Sequence, residues 1–266
     1  MRVLTIAAAD GTPINCTASG AGPLLLLVHG SGGSQKQWDN VRPLLEGDFT
    51  VVCMDRRGHG ASGDAAAYGL DTEAADIAVV LAAFGGGAVV AHSYGALCAL
   101  LAAMVQPMAG LVLYEPPVVT APGAYFPPDL VPAMRAAIAQ GDGGAAIMAF
   151  ARIVRGASDA QVAQMSRMPG WADRAARAPV LLRELAAVDA FRADPARFAG
   201  FHTPVLLLRG ALSGPDYVAT ADVLHTLLPG SVVAVLDGQG HSAIEGAPAR
   251  VAEVILGFLK PDTGQA

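Results

Sequence analysis

The stretch Ala88-Val89-Val90-Ala91-His92-Ser93-Tyr94-Gly95-Ala96 passes from an unbroken apolar run into a helix-like segment through a small-x-Ser-x-Gly turn. A short apolar run that ends at a turn reads as a strand covered on both faces, here Ala88–Ala91. A bend this sharp forces the serine backbone into a strained conformation and lifts its hydroxyl clear of the sheet. Side chains two positions either side would collide with the neighbouring strand and helix, so Ala91 and Gly95 are the small residues the turn requires. A helix beginning just after Ser93 also points backbone N–H groups and a positive dipole end at the hydroxyl. The plainer reading of Ser93 is a helix N-cap after a strand. The pentapeptide alone does not decide between the two.

Outward from this turn, short apolar runs bounded by Gly, Pro and Asp alternate with helix-like segments, the pattern of a mostly parallel sheet with helices on both faces. Expected strands are Val3–Ala7, Ile14–Ala18, Leu24–Val28, Thr50–Met54, Ala88–Ala91, Gly110–Tyr114, Val205–Arg209 and Ser231–Leu236. The first two alternate in polarity around Asp10-Gly11 and predict an antiparallel edge hairpin. Helices are expected over Leu70–Phe84, Gly95–Val105, Ala219–Leu228 and Pro248–Leu259. Between Tyr114 and Val205 there is no strand pattern, only helical stretches at Leu130–Gln140, Ala145–Val154, Asp159–Met168 and Val180–Ala190. The organisation predicted is α/β, with a core of residues 1–115 and 201–266 and a helical cap inserted at 116–200. The terminal Pro261–Ala266 reads as a frayed tail.

Composition narrows the function classes. With 53% hydrophobic and 15% charged residues among 266, the chain can build one large core, which excludes wholesale disorder. The net charge of −6 is modest and no Lys/Arg run occurs, which argues against nucleic acid or an anionic membrane as partner. Cys16, Cys53 and Cys98 lack metal-ligand spacing and are odd in number, so they read as free thiols in a reducing compartment. The N-terminus shows no signal-peptide pattern, and the apolar stretch from Ala88 to Val105 is too interrupted to span a bilayer. The chain reads as a cytoplasmic protein without metal or cofactor, acting on a small molecule; nothing in it speaks to an oligomeric state.

Four blocks, in order, resemble the α/β-hydrolase family, and the likeness runs from about Leu24 to Leu259. Leu26-Leu27-Val28-His29-Gly30-Ser31-Gly32-Gly33, with Trp38 after it, resembles the family's oxyanion loop. Asp55-Arg56-Arg57-Gly58-His59-Gly60-Ala61-Ser62 is similar to its tight turn after the fourth strand, and reads as structural. The third block is the turn at Ser93. The fourth, Gly238-Gln239-Gly240-His241, resembles the loop bearing the family's catalytic histidine. The resemblance implies Ser93 as nucleophile, His241 as its general base, and an oxyanion hole from the N–H groups of Ser31 and Tyr94. His29 is expected to brace its loop, His92 to point away from Ser93, and His225 to lie on a helix surface.

The third member of the implied triad departs from the commonest family pattern. After the seventh strand the chain reads Gly210-Ala211-Leu212-Ser213-Gly214-Pro215-Asp216, with Ser213 where a carboxylate is expected. A hydroxyl cannot compensate an imidazolium. Glu115, at the end of the sixth strand, occupies the family's alternative acid position and is the preferred acid, with Asp216 and then Asp237 as alternatives. The cap, with Met134, Met148, Met165 and Met168, is expected to roof an apolar pocket or to form its own core; Arg183, Glu184 and Asp189 read as salt-bridge partners. The activity implied is hydrolysis of a carboxylic ester, lactone or thioester through an acyl-enzyme. Rivals on the same scaffold are carbon–carbon bond hydrolysis, lyase activity, cofactor-free oxygen chemistry and a non-catalytic ligand receptor. Haloalkane dehalogenase and epoxide hydrolase chemistry is disfavoured, because those enzymes carry a carboxylate where Ser93 stands.

Overall fold

The computed structural model describes residues 1–118, 123–155, 157–168 and 170–260. Eight strands form one sheet: β1 (Arg2–Ala7), β2 (Pro13–Gly20), β3 (Leu24–Val28), β4 (Thr50–Met54), β5 (Ala88–His92), β6 (Gly110–Tyr114), β7 (Val205–Gly210) and β8 (Val232–Leu236). Their order is β1-β2-β4-β3-β5-β6-β7-β8. β1 and β2 pair antiparallel, β2 pairs antiparallel with β4, and every later pairing is parallel. The hairpin turns where expected: Gly11 has φ +83, and Asp10 Oδ1 accepts from Thr12 N–H at 3.0 Å.

The helices are α1 (Leu70–Ala83), α2 (Tyr94–Ala102), α3 (Leu130–Ala139), α4 (Gly143–Arg155), α5 (Asp159–Met165), α6 (Trp171–Ala176), α7 (Ala178–Ala190), α8 (Pro215–Leu227), α9 (Ala243–Gly246) and α10 (Pro248–Leu259). Helix α8 starts four residues earlier than expected, because Pro215 supplies a first-turn φ that needs no N–H donor. Helix α2 begins directly on Tyr94 and ends at Ala102, three residues short of the expected Val105.

Strand pleating divides the core. Leu25 and Leu27 of β3, Val51 and Cys53 of β4, Ala88 and Val90 of β5, and Leu206 and Leu208 of β7 face one layer. There they join Trp38, Val41 and Leu45, together with Val251 and Ile255 of α10. The opposite face meets α2, where Gly95 lies against Val28. All five residues of β3 are buried, each contributing about 1.5–3 kcal/mol by removal from water. This covering on both faces is why β3 reads as a continuous apolar run.

The chain divides into two compact units, Met1–Thr120 with Ala193–Ala266, and Ala121–Arg192. The first holds the sheet. The second is helical, and Met134 is fully buried within it while Met168 is exposed. Among the described residues Asp189 of α7 makes no ion pair, contrary to expectation; its carboxylate accepts from the N–H groups of Tyr125 and Phe126 at 2.7 and 3.2 Å. The tail Pro261–Ala266 lies outside the described residues.

Candidate active site

The turn from β5 into α2 sets Ser93 at φ 53, ψ −125, and the turn after β6 sets Glu115 at φ 50. Among the described residues these are the non-glycine positions with positive φ. Each costs about 1–3 kcal/mol and persists only because its surroundings hold it. Ser93 N–H donates to Tyr114 O at 2.8 Å, and Glu115 N–H donates to Leu208 O at 3.1 Å, so β6 and β7 clamp both turns. Gly95 has no room for a side chain, since a Cβ there would sit 2.3 Å from His29 O. Gly30 packs as tightly: its Cβ would meet Ser93 Cβ at 3.1 Å, so the loop carrying Ser31 lies against the serine.

His241 Nδ1 lies 2.5 Å from Glu115 Oε2, while Glu115 Oε1 accepts from Gly210 N–H at 2.7 Å. The carboxylate is buried and both its oxygens are engaged. Asp216, in the first turn of α8, and Asp237, after β8, are both exposed, and neither bonds His241. Ser213 Oγ is buried without a hydrogen-bond partner among the described residues. The loop bearing His241 is pinned by Tyr114, whose hydroxyl donates to Gly240 O. Burial and the charge of Glu115 push the Tyr114 phenol upward in pKa, which keeps it a donor. The His241 imidazole stacks on Tyr217 at 4.7 Å and 19°, and lies 4.5 Å from the His92 ring. Ser93 Oγ makes no hydrogen bond among the described residues, and His92, its neighbour in the chain, lies against His241.

A buried network reaches the two N–H groups expected to form the oxyanion hole. Arg56 places Nη1 2.8 and 2.7 Å from the carboxylate oxygens of Glu73, and donates from Nε to His29 O and from Nη2 to Gly30 O. Removing either partner of this pair strands a buried charge, at about 3–5 kcal/mol. Tyr68 OH donates to Glu73 at 2.6 Å and lies 2.7 Å from Tyr94 OH, which leaves Tyr94 as the donor between them. The Arg56 guanidinium also sits 4.8 Å from the Tyr94 ring centroid. Ser31 and Tyr94 are thus braced by one set of charges. Tyr94 opens α2, so its N–H stands at the positive end of that helix.

His29 accepts from Arg56 N–H through Nε2 at 3.0 Å and contacts Gly30 O through Nδ1 at 2.8 Å, a neutral tautomer with the proton on Nδ1. Desolvation first, then the Arg56 charge, lowers its pKa well below 6.5. The unfolded chain therefore takes up a proton at this histidine in a range where the folded chain does not. Stability from this site is full above the unfolded value and falls below it by about 1.4 kcal/mol per pH unit until the folded value is reached. Urea unfolding midpoints near pH ~7.5 and ~5.5 test this, with a midpoint independent of pH excluding a buried neutral His29.

A family model described as "Alpha/beta hydrolase family" matches residues 25–254. The chain belongs to the alpha/beta hydrolase family. A crystal structure of an alpha/beta hydrolase from Sphaerobacter thermophilus DSM 20745 is 33% identical with a TM-score of 0.83, covering 96% of this chain and 99% of that one. Similarity to a fluoroacetate dehalogenase of Burkholderia sp is 51% over 49 residues, which is 18% of this chain and 16% of that protein. The protein named "Putative carbamate hydrolase RutD" of Escherichia coli O9:H4 (strain HS) is 38% identical over 95 residues, 34% of this chain and 36% of that protein. The matched segments thus span well under half the length of these curated relatives.

Within this alpha/beta hydrolase, Ser93, His241, Glu115, Ser31 and Tyr94 all belong to the unit holding the sheet. Among the described residues Asp216 makes no hydrogen bond to the imidazole, whose acid partner is Glu115. Sequence reasoning missed Gln37, Tyr68 and Glu73, whose side chains carry no motif of their own. The contact of His92 with the His241 loop, Nε2 2.9 Å from His241 O, likewise has no sequence signal. His225 is exposed and pairs with Ser231 Oγ at 2.9 Å, as a surface residue of α8.

Proposed function

We propose that this chain is a serine hydrolase that cleaves a carboxylic ester, lactone or thioester of a small, mainly apolar substrate. The observation carrying this reading is the 2.5 Å contact between His241 Nδ1 and Glu115, on a loop beside the strained Ser93. Glu115 holds the His241 proton on Nδ1 and leaves Nε2 as the base. His241 takes the Ser93 hydroxyl proton as Oγ forms a bond to the acyl carbon. The oxyanion rests on the N–H groups of Ser31 and Tyr94. Collapse breaks the bond to the leaving group, which receives the proton from His241. Water, deprotonated by the same imidazole, then releases the acid and restores the serine.

A carbamate is a second reading, favoured by the likeness to the protein named putative carbamate hydrolase RutD, and it uses a carbamoyl intermediate on the same serine. A fluorophosphonate probe with a panel of p-nitrophenyl esters of different chain lengths tests the proposal. Covalent labelling of Ser93 and turnover of at least one ester are expected. An unlabelled serine in folded protein would support a non-catalytic receptor, and labelling without turnover of any ester would favour the carbamate reading or one of the lyase rivals.

A further inference from the structure

The imidazole of His92 is buried behind the nucleophile, in the position where a strand residue would ordinarily only pack. Its two nitrogens instead join two loops that carry opposite halves of the chemistry. Gln37 Nε2 lies 3.2 Å from His92 Nδ1, and His92 Nε2 lies 2.9 Å from His241 O. An amide nitrogen can only donate and a carbonyl oxygen can only accept, so the neighbours fix the tautomer: Nδ1 accepts and Nε2–H donates. Gln37 is itself set by both loops. Its Oε1 accepts from Gly30 N–H at 3.0 Å, and its Nε2 also donates to Glu245 Oε1 at 3.0 Å, in the short helix after His241. Trp38, fully buried beside it, anchors the 3-10 turn that presents Gln37.

We infer that His92 is a positioning residue which, through Gln37, sets the His241 loop against the loop carrying Ser31. The inference rests on the proposed serine-hydrolase reading. The His241 side chain is oriented by Glu115, but that bond leaves the backbone of a glycine-rich loop to be fixed by other means. Gly238 has φ +68, and Gly240 precedes the histidine directly. Tyr114 holds Gly240 O and His92 holds the next carbonyl, that of His241 itself. The ring also packs against Gly30, where a Cβ would come within 2.9 Å of His92 Nδ1. Displacement of either loop is thus felt by the other. The imidazole rides on this loop, so how the loop backbone is held sets where the base stands relative to Ser93.

The test compares His92→Phe with His92→Gln in the full chain, using a fluorophosphonate at several concentrations so that the maximal inactivation rate and the half-saturating concentration are read separately. Phe keeps the packed ring and loses both nitrogens; Gln puts an amide donor where the Nε2–H stood. His92→Phe should lower the maximal labelling rate by about tenfold with the half-saturating concentration unchanged, the worth of one positioning hydrogen bond. His92→Gln should restore most of it. Equal rates for wild type and His92→Phe overturn the inference alone. So do Phe and Gln variants that are equally slow, because ring packing and not the hydrogen bond would then be at work. A wild-type protein that is not labelled at all overturns the serine-hydrolase reading beneath it.

Discussion

Ser93→Ala is expected to abolish ester turnover and fluorophosphonate labelling while leaving the fold intact. No other nucleophile stands at the turn, and removing the attacking group of such a triad costs about 10⁶ in kcat, with only residual catalysis from binding and the oxyanion donors. Folding should scarcely notice the change. Ser93 Oγ has no hydrogen bond among the described residues, and alanine bears the same Cβ into the same φ of 53. Ser93→Gly separates strain from chemistry. Glycine adopts positive φ freely, so relief of the turn should outweigh the added chain entropy and raise stability by about 1 kcal/mol in an equally inactive protein. Circular dichroism, urea midpoints and the kinetics of the best ester check all three statements. Full turnover by Ser93→Ala would remove the serine from the mechanism.

That a strained serine could be read from sequence, and a strained glutamate could not, has a physical basis. Ala91, Ser93 and Gly95 advertise their turn because close packing of β5 and α2 restricts three nearby positions to small residues, and restriction leaves a pattern. Likewise β3, buried on both faces, had to be apolar throughout. Glu115 obeys no local rule of this kind. Its φ of 50 is imposed by Glu115 N–H bonding to Leu208 O and by Oε1 reaching Gly210 N–H, partners about ninety residues away in the chain. Its place at the end of β6 could be inferred only from the missing carboxylate at Ser213 and from family likeness. Gln37, Tyr68 and Glu73 are harder still. A glutamine in a 3-10 turn and a tyrosine before a helix look like ordinary surface residues until the sheet order sets β3, β4 and β5 side by side. The Arg56 turn was legible as a charged structural motif, but its reach to Tyr94 depends on α1 delivering Glu73 from another segment.

Glu115→Gln should lower kcat by at least about a hundredfold, and by up to about 10⁴, with the structure preserved. The amide oxygen can still accept from Gly210 N–H, so the turn after β6 keeps its anchor. The other terminal atom changes from acceptor to donor and now faces His241 Nδ1 with an N–H. The imidazole relieves that conflict by moving its own proton to Nε2. It then points a hydrogen, not a lone pair, at the Ser93 hydroxyl, and cannot serve as base. Binding is little altered, because Glu115 is buried behind the histidine and has no route to substrate; KM should stay near the wild-type value while kcat falls. Asp216→Asn provides the internal contrast. That carboxylate is exposed on the first turn of α8 and does not bond the imidazole, so its loss should change kcat by less than about threefold. A large loss in Asp216→Asn with Glu115→Gln unaffected would transfer the acid to α8. It would also mean that the His241 loop rearranges far enough during turnover to abandon the shortest polar contact its side chain makes at rest.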